Sequence, residues 1–476
     1  MAFSALQNGA MRRLRLLAVP LSLSLVFLGA APAHARGPSG GDDAAAARPM
    51  TVMTPATAVA ARTDRRPVAG GVYDTVARQT FISWGGVHED NYVQAYDHRT
   101  GTWSAPVKVG DGLDDSHNYP TMVLAPDGHL LVFHNLHNTQ LFVARSPKAH
   151  SIEGTWTEQV IAVGDGATYP MPFVADNGAV YVFIRETVRD LDHTSPVDLR
   201  PMKYVRSTDS GLTWSNTAQL TGDKYAIAPT DRPDNMNEIY VGQLRHESAA
   251  FGRPERVLMV YTLAGGGVEG HLHDRYHHNI YYTYFTPADL HFHAADGRDL
   301  GTRIDDAEQE AYLKVADTPF LAAPFQRSPD YISLVGEVVP GVPFVLWMQL
   351  DATGILHDNL AVRTPHGWQA REVATGVRVR DMEPSGLLTW RVYATGEPPA
   401  GTPAPTGIQT FLFTAGFWWR AGQVIPTPQA VQRIEIITNG RDPARILATG
   451  ASSARDVTTA DGDVYVAGFP VRHGED

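Results

Sequence analysis

"STDSGLTW", running from Ser207 to Trp214, is the stretch on which the fold turns. It reads S-x-D-x-G-x-T-W. Asp209 is placed to accept hydrogen bonds from its own turn, Gly211 stands where the backbone leaves the region open to other residues, and Trp214 can seal the foot of a hairpin. Upstream, "GTWSAPVKVGDG" at 101–112 returns as "GTWTEQVIAVGDG" at 154–166, so Trp103, Trp156 and Trp214 mark three copies spaced 53 and 58 residues apart. That period suits a four-stranded antiparallel unit repeated around an axis. Further short alternating runs follow: "NEIYVGQLR", "RVLMVYTL" and "HNIYYTYFT"; "DYISLVGEV", "PFVLWMQLD" and "NLAVRT"; "GLLTWRVYAT", "IQTFLFTAG" and "FWWRAGQVI"; "VQRIEIITNG", "ARILATG" and "DVYVAGF". Long helical periodicity is absent. The expected fold is all-β, a single β-propeller over residues 67–476. A unit of about 59 residues makes it seven-bladed, with six or eight blades as alternatives because the later copies are degenerate.

The chain has 476 residues, 43 Gly, 33 Pro and no Cys, so neither disulfides nor thiolate metal sites can brace it, and its stability rests on an extended core. Met11-Arg12-Arg13-Leu14-Arg15, the apolar run Leu16–Ala31 and Ala33-His34-Ala35 read as a signal peptide over residues 1–35. The Ala-, Pro-, Gly- and Arg-rich stretch 36–66 reads as a flexible leader. The expectation is a secreted protein, monomeric and free of membrane once the signal is cleaved. Cleavage would take the formal charge from −12 to −15, which argues against nucleic acid as partner. A local cluster of Arg and His can still hold a polyanion, because distant charge is screened beyond about 8–10 Å.

Candidate site residues come from "DDSHNYPTMVLAPDGHLLVFHNLHNTQLFVARS", Asp114–Ser146. Met122, Leu124, Leu130, Val132 and Phe142 are the apolar alternates of strands, which leaves His117 and His137 at strand ends and in loops. The next unit, "ATYPMPFVADNGAVYVFIRE", puts Tyr169-Pro170 where the earlier one has Tyr119-Pro120, and Arg185 after its central strand. Loops at one end of a propeller converge on an axial depression, so His117, His137, Tyr169 and Arg185 can meet there, with Asn118 beside them. His129 and His134 read as structural. A second group in "GHLHDRYHHNIYYTYF" holds His271, His273, Arg275, His277 and His278. His273 and His277 have the four-residue spacing of helical metal ligands, but "NIYYTYF" reads as strand, so a sugar-contacting loop is the first reading of His273, Arg275 and His277 and a zinc site the second. His291 and His293 read as surface.

The Ser207–Trp214 pattern is that of the Asp-box, or BNR repeat. Together with "SHNYP", "PDGHLLVFHNLH", "TYP", "VYVFIRE" and "KYA", it makes residues 70 to 300 or so resemble the secreted BNR-repeat polysaccharide lyases with seven-bladed propellers, specifically the ulvan lyases. The resemblance includes the twenty-residue step from His117 to His137 and the sixteen-residue step from Tyr169 to Arg185. It implies β-elimination at C4 of a uronic acid in an anionic polysaccharide, with His117, His137, Tyr169 and Arg185 catalytic and Tyr225 of "KYA" a further cleft tyrosine. Arg185 is the natural cation for the uronate carboxylate, assisted by His137. His117 as base with Tyr169 as acid is the favoured assignment; the reverse, or Tyr169 in both roles, stays open. Catalysis of this kind needs no cofactor. Related lyases carry a structural zinc built from Cys and His; with no Cys, a structural Zn or Ca site here would be made of His, Asp and water. The competing readings are a carbohydrate-binding propeller without elimination chemistry and a sialidase-like glycosidase, the latter weakened because "FIRE" at 183–186 is not an F-R-I-P segment.

Overall fold

The computed structural model describes residues 49–59, 68–163, 166–188, 199–229, 232–270, 272–319, 328–330, 332–386, 388–397, 403, 405–414, 418–450 and 457–471. The expected signal peptide and His271 lie outside these residues. Among them, no helix is long and apolar enough to cross a membrane.

Alternating apolar residues set up antiparallel meanders that follow one another along the chain. Gly71–Asp74, Gln79–Gly85 and Asn91–Asp97 form one, edged by Thr102–Trp103 and Val107–Gly110. Thr121–Leu124, Leu130–His134, Leu141–Arg145 and Thr157–Ile161 form the next, then Ala167–Val174, Val180–Glu186, Met202–Ser207 and Ser215–Asn216. Glu238–Glu247, Arg256–Gly265, Tyr276–Thr286 and His291–His293 follow, then Ser333–Glu337, Pro343–Leu350, Leu356–Thr364 and Gly367–Thr375. Val377–Gly386 and Thr389–Gly396 pair next, and Thr406–Thr414 passes the ladder to the long strand Trp418–Arg441. The far half of that strand opens the last meander with Ala444–Gly450 and Gly462–Gly468.

The first strands of these meanders surround an axial cavity of about 600 Å³, lined by Val72, Val123, Phe173, Gln243, Asp381 and Ile437 among others. Its walls are tied by one buried carboxylate. Asp381 accepts hydrogen bonds from Gln243 Nε2 (2.8 Å) and from the amides of Met382 and Ile436 (both 2.7 Å), and Gln243 Oε1 in turn accepts from the Val335 amide (2.9 Å). At the leading ends of the same strands, Tyr119, Tyr169, Tyr240, Ile332 and Val379 share one buried apolar cluster. Core clusters elsewhere fill the spaces between neighbouring sheets.

The Asp-box hairpin is built as its residues require. Asp209 accepts from the Thr213 amide (2.8 Å) and hydroxyl (2.6 Å), Ser207 Oγ accepts from the Gly211 amide (2.8 Å), and Trp214 Nε1 donates to the Gly211 carbonyl (3.1 Å). Gly211 has φ +87°, a conformation strained for other residues, and a Cβ there would stand 2.7 Å from Leu131 Cδ1, which would have to move. Trp214 meets Phe133 of the preceding sheet edge-on at 5.8 Å.

One expected boundary is corrected. Thr51–Val59 falls inside the expected leader 36–66 but is a strand, paired antiparallel with Gly462–Gly468 from Thr51↔Gly468 to Val59↔Gly462. It is the outer strand of the last meander, so the first described strand closes onto the last. Met50 and Val59 are buried against that sheet. Val377–Gly386, whose charges "VRVRDMEPSG" hide its alternation, was also not among the expected strands.

Two outcomes follow. A chain starting at Pro67 should melt several degrees below one starting at Arg48, because it loses this ladder and buried side chains each contributing about 1.5–3 kcal/mol; equal melting temperatures by calorimetry would contradict the closure. His134 is fully buried, and burial pushes its pKa down to about 4. Below pH 6.5 the unfolded chain gains a proton that the fold refuses until about pH 4, so stability falls over that interval, by up to about 3 kcal/mol. Urea unfolding at pH 7 and pH 5 should show a smaller loss for His134→Leu than for the parent.

Candidate active site

His137 reaches the mouth by a strand exchange. After Leu130–His134 the chain leaves its own sheet, and His137–Thr139 pairs with the first strand of the next one, Thr139 opposite Ala167 and His137 opposite Thr168. Asn135 (φ 57°) and Asn138 (φ 56°) make the bends, a backbone that asparagine tolerates better than most residues. The asparagines beside the histidines are therefore the turns that aim them. Thr139 Oγ1 closes on the Asn135 carbonyl (2.5 Å), and the Asn138 amide donates to Thr168 Oγ1 (3.1 Å).

Tyr169 sits one residue further along that first strand, where the register against Val180–Glu186 slips between Thr168 and Met171. Its φ is 61°, a strained conformation for a bulky aromatic, and the bulge re-aims its side chain. His117 is held by Asp115: Oδ1 accepts from its amide (2.9 Å) and lies 2.6 Å from its Nδ1. The other oxygen, Oδ2, bonds His137 Nδ1. One carboxylate thus grips both imidazoles, which stack at 4.0 Å with 21° between planes, and the Tyr169 ring lies 5.8 Å from His117. With each Nδ1–H directed at Asp115, the lone pair of each ring is on Nε2. Burial works against the Asp115 charge, yet the bonds from His117 and His137 hold its carboxyl well below the usual range. Burial pushes the His137 imidazole down; Asp115 opposes this, while His117 and Arg185 add to it, so His137 is kept neutral at pH 7.

Arg185 is the next-to-last residue of the buried strand Val180–Glu186 and is itself 1% exposed. Its guanidinium carbon lies 4.6 Å from the centre of the Tyr169 ring and 4.3 Å from that of Tyr240. Burial disfavours the charge, but Tyr240, Tyr169 and Glu238 more than offset it and the pKa is raised. Nε and Nη1 have no hydrogen-bond acceptor among the described residues. A buried cation with unused donors calls for an anion.

Tyr240 rests on His277 at 4.9 Å, His277 Nε2 bonds Asp274 Oδ1 (2.7 Å), and buried Glu238 takes the Asp274 amide (3.0 Å) and His273 Nδ1 (2.7 Å). The helical reading of His273 and His277 fails because Tyr276–Thr286 is a strand. Of the expected sugar-contacting residues, His277 is buried and packs under Tyr240. His273 is half-exposed at the mouth. Arg275 pairs with Glu269 (Nε to Oε2 2.7 Å). Asn118 is buried, with an Oδ1 that has no partner among the described residues. Tyr225 packs near Lys203 and Lys224, and Lys203 pairs with Glu186 (2.7 Å), the residue next to Arg185 at the end of its strand. His134 is structural, its ring packed over Gly110.

Asp115, Glu238 and Tyr240 were missed from sequence. Asp115 had a signal, two residues before His117 in the spacing of an Asx-turn; Glu238 and Tyr240 share a face of an expected strand, which without the neighbouring sheet says nothing of its direction.

Residues 79–375 match the BNR repeat-containing family. The chain belongs to that family. Among BNR-repeat relatives, Ulvan Lyase-PL25 of Pseudoalteromonas sp. (strain PLSV) is 24% identical over 234 residues, 43% of this chain and 44% of that protein. An ulvan lyase of Alteromonas sp. (strain LOR) is 23% identical over 252 residues, 47% of this chain and 48% of that protein. The chain thus aligns with less than half the length of these curated relatives. A solved structure of an ulvan lyase bound to -[GlcA(1-4)Rha3S]- superposes with a TM-score of 0.65 at 17% identity, covering 87% of this chain and 96% of that one. The shared feature is the propeller fold.

Replacing Asp115 by Asn removes the negative charge that opposes the fall of the His137 pKa. Titration of the imidazole carbons by NMR should find His137 still lower than in the parent; a rise would mean that Asp115 does not govern the pair.

Proposed function

We propose that this BNR-repeat protein is a secreted polysaccharide lyase that cleaves a uronate-containing anionic polysaccharide, ulvan being the first candidate, by β-elimination on a seven-bladed propeller. The succession of antiparallel meanders, closed by Thr51–Val59 on Gly462–Gly468, supports seven blades. The observation that carries the chemistry is Arg185, a buried guanidinium walled by two tyrosines and close enough to the carboxylate-oriented histidine pair for its charge to act on His137. The curated relatives named as ulvan lyases support the same reading.

Elimination begins with the uronate carboxylate. Bound to Arg185, it loses negative charge and can accept electron density from C5, which makes the C5 proton removable. His117 Nε2 takes that proton, and the Asp115 carboxylate at Nδ1 orients the ring and stabilises the imidazolium. The C5 electrons form the C4=C5 double bond as the C4–O4 bond breaks, and Tyr169 gives its phenolic proton to O4. His137, kept neutral, hydrogen-bonds the substrate rather than supplying a second permanent cation. The acidic protein as a whole repels a polyanion, but the mouth presents it with a local positive charge within a Debye length.

Incubation with a panel of uronate polysaccharides should raise the ultraviolet absorbance of the new double bond with at least one of them. His117→Ala, Tyr169→Phe and Arg185→Ala should each lower kcat/KM by about 10²–10⁴-fold. Binding to a polymer without any rise in absorbance would replace this reading with that of a carbohydrate-binding propeller.

A further inference from the structure

Asp115 does more than orient two imidazoles. Its two oxygens each meet the Nδ1 of one imidazole, one ligand atom from each of Asp115, His117 and His137 lies within 4.8 Å of the others, and the three side chains, from two separate stretches of chain, are between one-fifth and one-third exposed. Two imidazole nitrogens and a carboxylate oxygen are a donor set for borderline transition metals, not for calcium or magnesium, which take oxygen donors. Three protein ligands leave a fourth tetrahedral position for water. We propose that Asp115, His117 and His137 form a binding site for Zn²⁺ or a similar ion, and that its occupancy switches the active site off.

The switch follows from proton positions. In the metal-free arrangement each Nδ1–H points at Asp115, so each Nε2 carries a lone pair. An ion bound at both Nδ1 atoms takes the place of those two protons, and each neutral ring then holds its proton on Nε2. No proton is lost or gained overall; each moves from one ring nitrogen to the other through solvent. His117 Nε2, the nitrogen that removes the C5 proton, is thereby blocked, and the ion's charge adds to that of Arg185. The ion-binding part stands on geometry alone, while the inhibitory part rests on the lyase reading.

The other grouping with metal-ligand chemistry among the described residues, Asp176, His246 and Glu255, gives an internal control. There His246 Nε2 lies 2.6 Å from Glu255 but 3.9 Å from Asp176, which is the most exposed of the three. Isothermal calorimetry of the metal-stripped full chain with Zn²⁺ should give one tight site per chain. Asp115→Asn and His137→Gln, checked for fold by circular dichroism, should each weaken it by at least about tenfold, the loss typical even of a ligand's supporting partner. His246→Gln should leave it unchanged. Retention of full affinity in both active-site variants, its loss in His246→Gln, or the absence of saturable Zn²⁺ binding in the parent would each overturn the site. In the double-bond assay Zn²⁺ should inhibit and a chelator should restore the rate. Full activity at saturating Zn²⁺ would overturn the switch, and an absence of activity on every polymer would count against the lyase reading while leaving the calorimetry to decide the site.

Discussion

A guanidinium held almost entirely out of water between two tyrosine rings is the constraint to which the rest of the mouth answers. Removing a charge from water costs several kcal/mol unless fixed partners replace the lost hydration. For Arg185 those partners are the π-faces of Tyr169 and Tyr240 and the nearby carboxylate of Glu238. Each has its own support. Tyr169 is aimed by a bulge at positive φ, Tyr240 leans on His277, and Glu238 is saturated by Asp274 and His273. Among the described residues two of its guanidinium nitrogens have no acceptor, so part of the lost hydration stays uncompensated.

The scaffold makes such a cost tolerable. Several first strands begin at the same mouth, where Tyr119, Tyr169, Tyr240, Ile332 and Val379 pack together, and Asp381 and Gln243 tie several strands along the axis. A closed ring has no free sheet edge along its seam, provided that the last meander is completed. Thr51–Val59 completes it with a backbone ladder and with Met50 and Val59 buried against the sheet. In a chain without cysteine, this pairing of distant segments is what a disulfide would otherwise reinforce.

Much of this was legible because repetition places equivalent residues at equivalent ends of each unit. Tyr119-Pro120 and Tyr169-Pro170 align, which places His117, Tyr169 and Arg185 at one end of neighbouring units. Thr51–Val59 is hidden in the expected leader because "TVMTPATAV" has little contrast between its two faces and its partner strand lies some four hundred residues away.

By itself, the sequence determined the all-β class, the repeating unit, the hairpin around Asp209 and the candidate quartet of His117, His137, Tyr169 and Arg185, because these depend on periodicity and on contacts within a turn. The tertiary structure alone decided that Asp115 grips both imidazoles, that Tyr240 is the second wall of Arg185, that His277 supports it from beneath, and that the first described strand closes the last sheet. Those relations join residues from different meanders. Their distances are set by how sheets pack about the axis, and local sequence carries no measure of that packing.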